Sequence, residues 1–364
     1  MPPLPPTLEC YHDQASIVNT YNIILRLEKA IQGEIDSGKK MEKQMIYCQI
    51  LGYLFHHFPG RQLNDDFVRE ISTISSDDEK LLELGQHFYQ FFMRLCASSK
   101  LTALLQTYLT NKVISSQKHT RTPSSDSSRS SFDEATDQMK DMSGEAPQNY
   151  QTAKKLALAR DGYQCVVTKS YDAPAAMRNS ELREIVYREQ GSVRITHCAH
   201  IFPELITANS TSGSNMDHCT ASVWAVLDCL GYQHLREELN GSNIHRLENV
   251  MTMDLTTHLL FDSLWIWLSE TSIPNTYRLE ASTSVLLNHR PEYVTFATTD
   301  PKYPLPSPNY LAIRAACAKV AHLSGAAKYI AEVLSRMEDT CVLAEDGGSA
   351  ELLHEAILSS MQAI

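Results

Sequence analysis

His258 and Asp262 stand four residues apart in Thr257-His258-Leu259-Leu260-Phe261-Asp262, and on a helix that spacing places both on one face. An imidazole and a carboxylate sharing a face are donors for a single divalent cation, and they suit magnesium, manganese or zinc without choosing between them. Upstream, His200 follows the alternating, β-branched run Ser192-Val193-Arg194-Ile195-Thr196, so it projects from the end of a rigid strand. An imidazole titrates near neutrality and can take a proton from water. A cation nearby supplies Lewis acidity to an electrophilic centre and its leaving group. A base and a cation are the parts that a metal-assisted hydrolysis requires.

The elements that must position these side chains follow from the surrounding pattern. Ala153 to Arg160 reads as a short helix, Asp161-Gly162-Tyr163 as a turn, and Gln164 to Thr168 as a strand. Ser180 to Glu189 reads as helical or extended at the surface, and Ser192 to Ile201 as one strand. Ala221 to Leu239 has Trp224, Leu227, Leu230 and Leu235 on one apolar face and predicts a helical insertion. A second strand containing Asn249 is expected within His245 to Met253, then a helix from Asp254 to Phe261 capped by Asp254. Tyr277 to Glu280 and Val294 to Phe296 are strand candidates, and Trp265 and Trp267 are assigned to the core. Beyond Pro304-Leu305-Pro306-Ser307-Pro308, one helix is expected from Tyr310 to Met337.

Ala199-His200-Ile201, Glu248-Asn249 through Met253, and His258 with Phe261-Asp262 together resemble the ββα-metal module of HNH nucleases, and are similar to HNH-domain proteins common in fungi. The resemblance runs from roughly Ala153 to Leu334 and leaves the N-terminal part unexplained. It implies His200 as general base and His258 with Asp262 as ligands of a divalent metal ion, magnesium, manganese or zinc. Asn249 would brace the loop and hold the orientation of the His200 imidazole through its side-chain amide. The implied substrate is nucleic acid, DNA ahead of RNA. One position departs from the pattern: many HNH nucleases have a metal-binding Asp or His just before the base, and here that residue is Ala199. His197, on the opposite face of a straight strand from His200, is set aside as a substitute.

Composition bounds these expectations. With 43% hydrophobic and 21% charged residues the chain is of ordinary globular type. Nine scattered cysteines without a CxxC pair argue for reduced thiols rather than a disulfide framework or zinc ribbon. A net charge of -11 is the main objection to nucleic-acid binding, which needs Lys and Arg against phosphate. Met1-Pro2-Pro3-Leu4-Pro5-Pro6 lacks the basic start and apolar stretch of a secretory signal, and no apolar run reaches the length of a membrane span. The expectation is a soluble protein inside the cell, in nucleus or cytoplasm, without membrane contact.

Ile17, Tyr21, Ile24, Leu27 and Ile31 recur at helical spacing, as do Met45, Cys48, Leu51, Leu54 and Phe55, and a third set runs from Leu81 to Leu95. The expected fold class is α+β. It comprises a mainly helical N-terminal region (1–114), a disordered Ser-rich linker (115–150), an HNH-like domain (151–300) and a helical C-terminal extension (301–364). The N-terminal helices are candidates for a protein partner or for self-association. Two other readings compete: an HNH-like scaffold without cleavage that binds nucleic acid or protein, and a Cys-His hydrolase built on Cys198 or Cys165. The second lacks a local signature. His218-Cys219 and Cys229 are a minor metal-binding candidate without ligand spacing.

Overall fold

The computed structural model describes residues 2–8, 14–58, 65–96, 147, 149–203 and 224–339. The Ser-rich stretch 115–131, His218-Cys219 and residues 340–364 lie outside the described residues. The fold is α+β: among the described residues, helices make up the N-terminal part and small sheets lie in the C-terminal part.

Among the described residues, the N-terminal part has four helices: α1 (Ala15–Asp36), α2 (Glu42–His57), α3 (Asp65–Thr73) and α4 (Asp78–Cys96). The α1 stripe of Ile17, Tyr21, Ile24, Leu27 and Ile31 is buried as its spacing requires. Helix α2 is buried on every side from Met45 to Phe55, so it is the central rod against which α1 and α4 pack. Its all-round apolarity is the mark of a core helix rather than a surface one. Gly85 lets α4 approach closely, because a Cβ there would lie 2.4 Å from the Tyr47 carbonyl oxygen. At the start of α4, Asp77 accepts the Lys80 amide at 3.1 Å, offsetting one unpaired helix-end donor.

The C-terminal part begins with α5 (Tyr150–Arg160), whose N-terminus is capped by Asn149 accepting from the Thr152 amide at 3.0 Å. Strand β1 (Tyr171–Asp172) runs parallel to β2 (Val193–Arg194), with α6 (Ala173–Arg178) and α7 (Ser180–Arg188) between them. Strand β3 (Thr196–His200) pairs antiparallel with β4 (Val250–Asp254), in the register His200 to Val250 and Thr196 to Asp254. Between these strands lie a helical stretch 224–229, α8 (His234–Leu239) and two 3₁₀ turns, Gly241–His245 and Leu247–Asn249. Helix α9 (Leu255–Asp262) follows β4 directly. An antiparallel sheet of β5 (Ile266–Glu270), β6 (Thr276–Ala281) and β7 (Tyr293–Thr295) comes next, then α10 (Pro308–Leu323) and α11 (Ala326–Asp339). Helix α10 packs on both β5 and α2, and α11 on α4, so one buried cluster runs from Ile17 through Phe261 to Val333.

Several local expectations are corrected. Residues 165–170 form a turn rather than a strand: Cys165 and Ser170 close it through a 2.8 Å backbone bond, and Gln164 makes only an isolated bridge to Tyr171. Its apolar run, Cys165-Val166-Val167, is buried without being in a ladder. The single strand expected over Ser192 to Ile201 divides at Ile195, because its first half pairs with β1 and its second with β4. The long C-terminal helix breaks at Ser324-Gly325, where Gly325 adopts φ 78°, a backbone angle glycine takes without strain. Trp267 is buried as assigned, but Trp265 is 40% exposed, at the bend that precedes β5.

Candidate active site

The site is assembled on one hairpin and the helix that follows it. Asp254 ends β4 and caps α9: its carboxylate accepts the Thr257 amide at 3.1 Å and the Thr257 hydroxyl at 2.7 Å. The Thr168 hydroxyl, at 3.0 Å, reaches the same carboxylate and ties the 165–170 turn to it. Burial pushes the Asp254 pKa up, but the hydrogen bonds from Thr257, Cys165 and Thr168 outweigh it and hold the group below its ordinary value. The capped helix then displays His258 and Asp262 one turn apart. The His258 Nε2 lies 3.2 Å from Asp262 Oδ2, with 14% and 5% of the two side chains exposed.

That separation fits two donors on one ion. With bonds of about 2.0–2.1 Å and angles between octahedral and tetrahedral, two donors stand about 2.9–3.4 Å apart. As placed, no three His, Cys, Asp or Glu side chains among the described residues form a closed ligand group. The protein therefore offers a two-donor face, with water and phosphate oxygens needed to complete a coordination shell.

His200 lies at the end of β3, stacked on Tyr150 with ring centroids 6.0 Å apart, and its Nε2 is 3.2 Å from Nδ1 of His245. Burial pushes the His200 pKa down to about 3; His245 pushes the same way, Asp262 draws it upward and His258 lowers it. His200, His258 and Asp262 therefore share one electrostatic neighbourhood, in which burial favours the neutral form of the His200 imidazole. His197 also enters this neighbourhood. Its ring is 5.7 Å from that of His258, and burial first, then His258 and Lys154, lower its pKa against the upward pull of Asp262 and Asp172.

Asn249 is fully buried and acts on backbone rather than on the imidazole. Its Oδ1 accepts the Phe202 amide at 2.9 Å, and its Nδ2 donates to the Phe202 carbonyl at 2.9 Å and the Ile244 carbonyl at 2.8 Å. These bonds pin the segment after His200 to the segment before His245, so the brace reaches the ring through main chain.

Sequence reasoning missed three residues. Besides His245, Arg314 on α10 is buried and donates to the carbonyls of Ile201 (2.7 Å) and Phe261 (2.7 Å), with its guanidinium 4.0 Å from Asp262 Oδ1 and 4.2 Å above the Phe261 ring. It fastens the end of β3 to the end of α9. Arg160, fully buried, pairs with Asp161 at 2.7 Å and donates to the carbonyls of Leu247 and Val250, fixing α5 to the approach to β4. A lone arginine within Leu311-Ala312-Ile313-Arg314-Ala315-Ala316 was the available signal, because a charge on an apolar face needs a buried partner.

Cys165 and Cys198 are both buried, and Cys165 donates to Asp254 at 3.3 Å. Burial pushes the Cys165 thiol up, which opposes its use as a nucleophile.

Residues 165–269 match a family model described as HNH endonuclease. No curated protein and no solved structure matches the chain. The match covers the hairpin, Asn249 and α9, and it points to nuclease chemistry and nucleic-acid binding in general. Among the described residues, no helix is long and apolar enough to cross a membrane.

Proposed function

We propose that this protein is a metal-dependent endonuclease that hydrolyses phosphodiester bonds of nucleic acid, DNA ahead of RNA, inside the cell, in nucleus or cytoplasm. The observation that supports it most is the gathering of His200, His258 and Asp262 at one hairpin-and-helix unit within the segment matching HNH endonucleases. His200 takes the proton from the attacking water, being neutral and held at a strand end. His245 selects which nitrogen of that ring carries a proton and holds its plane. Asn249 keeps the two loops in register, and Arg314 keeps the strand end beside the helix end. His258 and Asp262 would hold a magnesium, manganese or zinc ion, which supplies Lewis acidity at the phosphoryl group and charge for the leaving oxygen. Lys154, close enough to lower the His197 pKa, places positive charge beside the site despite the chain's net charge of -11.

The test is nicking of supercoiled plasmid with magnesium, manganese or zinc. Wild type should nick, and His200→Ala should lower the rate by at least about a hundredfold, as loss of a general base does. If neither protein cuts with any of the three ions, the enzymatic reading fails. Ala199, buried and without a donor, favours a second reading in which the module binds nucleic acid or protein without cleaving. Plasmid retained by the protein in a gel shift but never nicked would support that reading.

A further inference from the structure

The residue before His200 is Ala199, and its side chain is fully buried without a donor atom. The two faces of the β3–β4 hairpin are told apart by their neighbours. Cys198 and Val250 are packed with Ala153, Leu156 and Ala157 of α5. Ala199, Met251 and Met253 belong to the cluster that contains Phe261 of α9. Side chains alternate along a strand, so His197 shares the face of Ala199 and not that of His200. In the register of the hairpin, His197 is paired with Met253 just as Ala199 is with Met251. Ala199 and His197 therefore share the face that clusters with Phe261 of α9, while His200, the last residue of β3, borders the same site from the strand end.

The contact confirms the parity. The His197 ring lies 5.7 Å from the His258 ring, at an interplanar angle of 51°. Two imidazoles on one cation have centroids about 4.5–5 Å apart when each nitrogen is about 2.1 Å from the ion. Closing the remainder takes a shift of about one ångström, within the reach of a half-buried side chain changing its torsions.

Resting on the reading of His258 and Asp262 as ligands, we infer that His197 is a third protein donor to the same divalent cation, replacing the missing donor at Ala199 from two residues earlier on the same strand face. Two imidazoles and one carboxylate then hold the ion, and the remaining positions are left for water and a phosphate oxygen. The chain keeps a three-donor protein site although the residue next to the base contributes nothing.

Cobalt(II) is the probe, titrated into the full chain and followed by calorimetry and visible absorption, with X-ray absorption used to count coordinated imidazoles. Wild type should show two imidazoles. His197→Ala should show one and bind at least about tenfold more weakly, the scale expected when a metal site loses support. His197→Cys should restore binding and add a thiolate-to-cobalt charge-transfer band, which a misfolded or merely destabilised protein does not produce. If His197→Ala keeps wild-type affinity and two imidazoles while His258→Ala loses binding, the inference is overturned and the two-donor site stands. If wild type binds no cobalt, both fall.

Discussion

The Asn249 amide joins three backbone groups from two loops, at Phe202 and Ile244, and each of those loops carries a histidine of the site. Asn249→Leu orphans buried donors and acceptors at about 1–3 kcal/mol each, so the expected loss is roughly 3 kcal/mol or more in urea denaturation. An unchanged midpoint would show that the loops do not depend on it. At this scale the sequence was most legible where spacing encodes proximity: His258 and Asp262 touch because four residues make one helical turn. His245 was not legible, since it sits in a 3₁₀ turn without periodicity and meets His200 only through folding over 45 residues. The shared face of His197 and Ala199 was legible, because side chains two apart on a strand point the same way.

Among the elements, α10 has an unusual double duty. It packs its apolar face on β5 and α2, yet buries Arg314 against the ends of β3 and α9. Replacing that guanidinium in Arg314→Met removes donors to three buried carbonyls, of Ile201, Phe261 and Asp262, and the cation near Asp262, at an expected cost of about 2–4 kcal/mol. Metal affinity should fall with it, because the Asp262 end of α9 loses its tether. Equal stability and equal affinity in the variant would contradict the tethering role. Helix α9 and its Asp254 cap were readable from the sequence because a cap and an apolar run are local signals. The 165–170 turn was not: its apolar residues look like a strand, but they are held by Ser170, by the Asp254 carboxylate and by one Val166 amide bond to Thr252 rather than by a ladder. The break at Gly325 was visible as a glycine, though its use as a stop depends on α11 turning back toward α4.

Across the whole molecule, the helical N-terminal part and the C-terminal helices share buried surface, and His57 lies where they meet. It stacks on Tyr53 with centroids 6.2 Å apart, and burial, then His56 and Lys319, push its pKa from 6.5 down to about 4. An unfolded histidine takes up a proton below about 6.5 and the folded one only near 4, so the unfolded state binds more protons between these values. The stability this group contributes is present above the unfolded pKa and is lost as pH falls through the folded one. His200 and His322 shift in the same sense. The thermal midpoint should therefore drop between pH 7 and pH 4, less steeply in His57→Phe than in wild type. A midpoint that rises on acidification, or identical slopes for the two proteins, would contradict this. The stripes of α1 and α2 disclosed the helices, but nothing in them disclosed that α10 would lie against α2, because that contact joins segments some 260 residues apart and only the folded chain brings them together.

The central claim is that an imidazole base, a second imidazole and a carboxylate serve one cation. Anomalous diffraction from crystals soaked in manganese or zinc measures this directly. The account predicts a peak about 2.0–2.2 Å from both His258 Nε2 and Asp262 Oδ2, on the side facing His200. A soaked crystal with no peak between those two atoms, or with the ion bound elsewhere in the chain, would contradict it.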